Sequence, residues 1–133
     1  PGNHCQTWGS RAMGKAARRI VIERQPRHLA SAEGIEVIEH MVWFRFRAEV
    51  PASHREELVE RLLALRDLVP NILELWVGDD FSGRSQGHQL GLLVRVRDRA
   101  ALDAYQVHPE HVAVAKLLRE SCDSIMALDF EHA

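Results

Sequence analysis

Within AYQVHPEHVAVAKLL (104–118), seven residues from Tyr105 to His111 hold a phenol and two imidazoles, Tyr105, His108 and His111. An imidazole that titrates near neutrality can act as a general base at physiological pH. A phenol beside it can hydrogen-bond to an oxyanion as that charge develops. Such a pair could serve as base, His111, and hydrogen-bond donor, Tyr105, in a proton transfer. No metal or cofactor is required. Pro109 suits the first turn of a helix over 109–121, so His111 falls near its third position and shares a side with Leu118. A partly apolar pocket keeps such a histidine neutral, and the positive helix end pushes the same way. The competing reading is structural, with His111 satisfied by a backbone carbonyl. His108 directly precedes the proline and is expected to cap the helix, its ring nitrogen accepting a backbone N–H.

The remaining histidines divide by context. His40 sits in IEHMVWFRFRA (38–48), where His40, Val42, Phe44 and Phe46 alternate with Met41, Trp43, Arg45 and Arg47. A polar side chain among those inward residues needs a partner, so His40 is either a pocket residue or a satisfied core residue. His54 and His132 read as solvated, as do His4 and His28. A metal triad of His40, His108 and His111 is disfavoured, because a helix start splays the last two apart; the expectation is no metal. Asp79-Asp80…Ser82-Gly83 lacks the spacing of a Ca²⁺ loop or a P-loop and reads as a hairpin turn.

The elements that must position these groups follow from periodicity. Residues 38–48 alternate with period two and form a strand that Pro51 ends. In SHREELVERLLALRDLV (53–69), Ser53 and Glu56 suggest a capping box, Leu58, Leu62, Leu65 and Val69 make an apolar stripe, and Pro70 stops the helix. ILELWVG (72–78) is a second strand, and HQLGLLVRV (88–96) a third with Leu90, Leu92, Val94 and Val96 on one face. Asp98 caps a short helix over 99–107, the helix 109–121 follows, and SIMALDFEH (124–132) is a fourth strand. The order β-α-β-β-α-β, with its second helical segment broken at His108-Pro109, is the split, ferredoxin-like α+β arrangement: a four-stranded antiparallel sheet with helices on one face. The other face then shows Met41, Trp43, Leu93 and Trp76 among Arg45, Arg95 and Glu74. Such a patch exceeds what a monomer usually exposes, so a homodimer through the sheet face, or a higher oligomer, is expected.

Composition sets the outer limits. The chain has 133 residues, one domain's length, with 46% hydrophobic and 27% charged residues. Six of the 17 Lys/Arg but only two of the 19 Asp/Glu lie in residues 1–34. That segment reads as a mostly disordered basic extension, and 35–133 as the folded domain. The acidic folded part argues against nucleic acid as a partner. No apolar run is long enough to span a bilayer as a helix. Cys5 and Cys122 form neither a disulfide framework nor a metal spacing, which points to a cytoplasmic setting.

The strand HMVWFRF, the segment LELWVGDDFS, the strand ending in VRVRDRAALDAY and the closing VHPEHVAVAKLLRESCDSIMALDF together resemble the stress-responsive α/β-barrel (Dabb) family of the dimeric α/β-barrel superfamily. The resemblance covers roughly 37–131, and its most specific element is Tyr-x-x-His-Pro-x-His-Val, backed by Asp129-Phe130. It implies ferredoxin-like monomers whose sheets pair face to face. One member type is a polyketide cyclase performing a cofactor-independent intramolecular aldol condensation. Its catalytic tyrosine and histidine match Tyr105 and His111, and a pocket histidine in its first strand matches His40. A further pocket histidine of that enzyme falls at Leu90, which departs from its pattern. Other members are non-catalytic, stress-associated assembly proteins.

The expectation is therefore a small apolar pocket between sheet and helices, lined by His40, Val42, Phe44, Leu90 and Leu118. It would take a small hydrophobic carbonyl or phenol compound, with His111 and Tyr105 as the catalytic pair. The alternative is a non-catalytic assembly or small-molecule-binding protein. If side chains fill the space beside His111, the enzyme reading falls.

Overall fold

The computed structural model describes residues 36–132. The expectations for residues 1–34, including Cys5, His4 and His28, lie outside the described residues. In chain order the elements are β1 (Ile38–Phe46), α1 (Ala52–Leu68), β2 (Ile72–Asp79), β3 (Leu90–Val96), α2 (Arg99–Val107), α3 (Pro109–Ser121) and β4 (Cys122–Glu131). The four strands form one sheet in the order β2-β3-β1-β4, and every pairing is antiparallel. The fold is the expected ferredoxin-like α+β arrangement, with its second helical segment divided into α2 and α3.

Strand alternation decides which residues face the helices. Val42, Phe44 and Phe46 of β1, Leu75 and Val77 of β2, and Leu90, Leu92, Val94 and Val96 of β3 are buried. Against them pack Leu58, Val59, Leu62 and Leu65 of α1, Leu102 and Tyr105 of α2, and Val114 and Leu118 of α3. Each such aliphatic side chain contributes about 1.5–3 kcal/mol when fully buried.

The helix ends obey local chemistry. The Asp98 side chain accepts from the Ala101 N–H at 2.8 Å and starts α2. His108 separates α2 from α3: its backbone N–H reaches the Tyr105 carbonyl at 3.2 Å, while its Nδ1 accepts from the Glu110 N–H at 3.2 Å. His108 is thus the expected cap. The capping box on Ser53 is not formed. Pro51 already holds the extended conformation of a cap residue, and its carbonyl accepts from the N–H groups of His54 and Arg55 at 3.1 and 3.2 Å. The helix starts at Ala52, so Ser53 lies inside its first turn. After α1, Pro70 and Asn71 (φ 69°) reverse the chain, asparagine being among the few non-glycine residues that tolerate this conformation.

Two histidines expected in solvent have partners instead. His54 Nε2 lies 3.1 Å from Ser121 Oγ, tying α1 to the end of α3. His132 Nε2 lies 2.7 Å from Glu39 Oε2 across the β1–β4 pairing. Both placements depend on contacts between residues distant in sequence. The hairpin loop between β2 and β3 is held by Asp80, whose carboxylate accepts from Ser82 Oγ and the Gly83 N–H, each at 2.9 Å. These bonds hold its carboxyl below the ordinary range. Buried His88 anchors the loop's far end, with Nδ1 2.8 Å from the Ser85 carbonyl and Nε2 2.9 Å from Ser124 Oγ.

Among the described residues, no helix covers the second face of the sheet. Trp43 stands in register between Gly91 and Met126, and Met41 between Leu93 and Leu128. Trp43, Met126, Leu128 and Phe130 are exposed. At one end of this face Arg95 bridges two carboxylates, Nη2 to Glu39 at 2.6 Å and Nη1 to Glu74 at 2.8 Å. No helix among the described residues is long and apolar enough to cross a membrane.

Candidate functional site

A cavity of about 250 Å³ opens between the sheet and helices α2 and α3. From β1 come His40, Val42 and Phe44; from α1, Leu62; from β3, Leu92. Helices α2 and α3 supply Tyr105, Gln106, His111, Val114, Ala115, Leu118 and Arg119, and β4 closes the side with Ile125 and Ala127. The space beside His111 is therefore not filled by the core. His40, Val42, Phe44, Leu118, Tyr105 and His111 all meet there, although they come from opposite ends of the sequence.

Leu90 does not line this cavity. It is buried in the same sheet layer one alternation step from Leu92, and Leu92 takes the lining position. The antiparallel register sets Leu92 opposite Val42 and carries Leu90 to the far end of the strand, opposite Phe44. Leu90 instead borders a wider recess of about 580 Å³ that includes Trp43, Gly78, Gly91 and Met126.

At the centre is Tyr105, 1% exposed, with no hydrogen-bond partner for its hydroxyl among the described residues. Its ring lies 4.4 Å from that of His111 and 5.7 Å from that of His40, centroid to centroid. A buried hydroxyl without a partner is costly and uncommon. Burial pushes the phenol well above its ordinary pKa, so at neutral pH it is a protonated donor.

The two imidazoles are oriented alike. His111 donates from Nδ1 to the Gln106 carbonyl at 3.0 Å, which leaves Nε2 as its basic nitrogen. Burial lowers its pKa. The Gln106 carbonyl opposes that fall and the nearby Arg119 guanidinium adds to it, so His111 is neutral at pH 7. His40, 5% exposed, makes a short Nδ1 contact with the Asp129 carboxylate. Asp129 lies directly across the β1–β4 ladder from His40, on the same face. A carboxylate on Nδ1 fixes the ring's orientation and likewise leaves Nε2 free. The carbonyl of Gln106 and the side chains of Asp129 and Arg119 escape sequence reasoning. Asp129 stood out in the chain only as part of Asp129-Phe130, with nothing to announce its partner.

A ferredoxin-like α+β domain with a small polar-centred cavity between its helices and sheet is the class these observations define. Residues 38–132 match the Stress responsive A/B Barrel Domain, Dabb. The chain belongs to this family. It is similar to olivetolic acid cyclase of Cannabis sativa, 19% identical over 95 residues that cover 70% of this chain and 94% of that protein. Among solved structures, the hydroxynitrile lyase of Passiflora edulis superposes with a TM-score of 0.70 at 18% identity, covering 74% of this chain and 94% of that one. A dimeric ferredoxin-like protein of unknown function from Jannaschia sp. CCS1 is 31% identical, with a TM-score of 0.64 and coverage of 72% of this chain and 99% of its own. Two further similar structures, from Thermobifida fusca and Bacteroides fragilis, are also described as dimeric.

Proposed function

We propose that this chain is a cofactor-independent enzyme of the cyclase or isomerase type, acting on a small carbonyl- or phenol-containing compound. The observation that carries the reading is the unpartnered, buried hydroxyl of Tyr105, whose ring packs beside those of His40 and His111 and lines the cavity with them. His111, neutral and with Nε2 basic, removes a proton α to the substrate carbonyl. Tyr105 donates its hydrogen bond to the enolate oxygen that forms. His40, held by Asp129, orients the substrate or returns the proton. Val42, Phe44, Leu62 and Leu118 exclude water from the reacting carbon. The similarity to a protein named as a cyclase and to one named as a lyase supports an enzymatic reading. The active form is a homodimer through the helix-free sheet face, in keeping with the dimeric relatives. A cytoplasmic setting, expected from the cysteine pattern, belongs to the same proposal.

The test is solvent exchange at the α-carbon of a simple ketone. 4-Phenylbutan-2-one is incubated with the protein in D₂O and followed by proton NMR. The expected result is exchange faster than in buffer alone, falling roughly 100-fold or more in His111→Gln and about 100-fold in Tyr105→Phe. Exchange at the buffer rate, with the ketone bound in the cavity, overturns the enzyme reading in favour of a binding protein.

A further inference from the structure

We propose that the ligand of this cavity is a small carboxylate, its apolar body among Val42, Phe44 and Leu118 and its anionic group paired with Arg119 at the mouth. The inference rests on the cavity being a ligand site and adds the charge class of what it takes.

The first observation is the sign of the lining. Its polar groups are His40, Tyr105, Gln106, His111 and Arg119, and no carboxylate lines it. The nearby acid Asp129 is engaged by His40. The lining thus offers an anion the Tyr105 hydroxyl and the Arg119 guanidinium, and offers a cation no carboxylate.

The second is the position of Arg119. It follows Leu118, whose side chain points into the cavity, so it sits on the margin of the inward stripe of α3. Arg119 lines the cavity and is itself exposed, as a long side chain with an apolar stem and a solvated head can be. The guanidinium is close enough to be felt at His111, where its charge adds to the effect of burial in disfavouring protonation.

The third is that Arg119 is uncommitted among the described residues. Arg45, Arg95 and Arg99 each hold a carboxylate at 3.0 Å or less, on Asp123, Glu39 and Glu131. Arg119 has no ion-pair partner among the described residues. A guanidinium offers parallel N–H donors that fit a carboxylate in bidentate fashion. At about 250 Å³ the cavity lies below the range of roughly 300–1,000 Å³ usual for drug-sized ligands. The body of the ligand is thus a single ring with a short alkyl arm, or a chain of like size. With the carboxylate at the mouth, the inner end of the molecule reaches Tyr105 and His111.

The experiment compares 4-propylbenzoate with its neutral isostere, 4-propylbenzamide, on the full chain. Binding is measured by calorimetry, and the imidazole NMR signals of His40 and His111 report whether the cavity is the site. The wild type is expected to bind the benzoate at least tenfold more tightly than the amide. Arg119→Gln should abolish that preference without weakening the amide, and Arg119→Lys should restore part of it. Equal binding of the two probes, with the imidazole signals moving, overturns the carboxylate inference and leaves the cavity a ligand site. An undiminished preference in Arg119→Gln overturns the role of Arg119. If neither probe moves the imidazole signals, both the ligand-site reading and this inference fall.

Discussion

The two faces of the sheet share the same strands, with alternate residues going to each, yet they are finished in different ways. On one face Leu75, Val94 and Val96 are wholly buried under helices, and the packing leaves a cavity beside Tyr105. On the other, Trp43 remains 41% exposed beside Met126 and Leu128. The covered face supplies stability and leaves one small opening where polar groups converge. The other face leaves its apolar area exposed and pairs its own charges, with Arg95 bound to Glu39 and Glu74 at the end of the patch. The core, the cavity lining and the exposed apolar patch thus occupy separable sets of residues, although the strands intermix them at every second position.

That separation is breakable by experiment. The largest effect belongs to the covered face: Leu65→Ala, at a wholly buried position on α1, is expected to cost about 2–5 kcal/mol in denaturant unfolding. A cost under 1 kcal/mol would mean that the helix layer does not carry the fold. On the uncovered face, Trp43→Glu should weaken self-association by roughly 30-fold or more in sedimentation velocity, the size of an interface hot spot, while far-UV circular dichroism stays unchanged. A sedimentation profile like the wild type's would remove this face as the interface.

Within the cavity, Asp129→Asn should slow α-proton exchange by roughly tenfold or more, since His40 loses the carboxylate that orients it. A rate equal to the wild type's would make that contact purely structural. The smallest effect is on pH dependence. His111 has a folded-state pKa below its unfolded value of 6.5, so the unfolded chain binds more protons between the two. Its contribution to stability is therefore present above pH 6.5 and is lost as pH falls through the folded-state value. His111→Gln should flatten that part of the unfolding profile relative to wild type, and identical profiles would contradict the buried, neutral placement.

How much of this was legible in the chain depends on the range of the interaction concerned. The strands and helices were readable because period-two and helical spacing are properties of neighbouring residues. The Asp98 and His108 caps were readable for the same reason, each bonding within three residues. Ser53 misled because Pro51, two residues earlier, takes the cap position first. His54 and His132 looked solvated because their partners, Ser121 and Glu39, are 67 and 93 residues away. Leu90 and Leu92 carry the same signal in an alternating strand, and only the register with β1 shows which of them reaches the cavity.

The amino-acid sequence by itself determined the ferredoxin-like α+β order, the two-sided character of the sheet, and the pairing of Tyr105 with His111 across the break at His108-Pro109. Those depend on residue type and short spacing, and nearby residues impose them whatever the rest of the chain does. Only the tertiary structure decided that a cavity survives beside His111, that Asp129 holds His40 from 89 residues away, and that Arg119, without an ion pair among the described residues, joins its lining. Cavity volume is what remains after side chains from six elements have packed, and a partner across a sheet is set by register; neither quantity is carried by a local stretch of sequence.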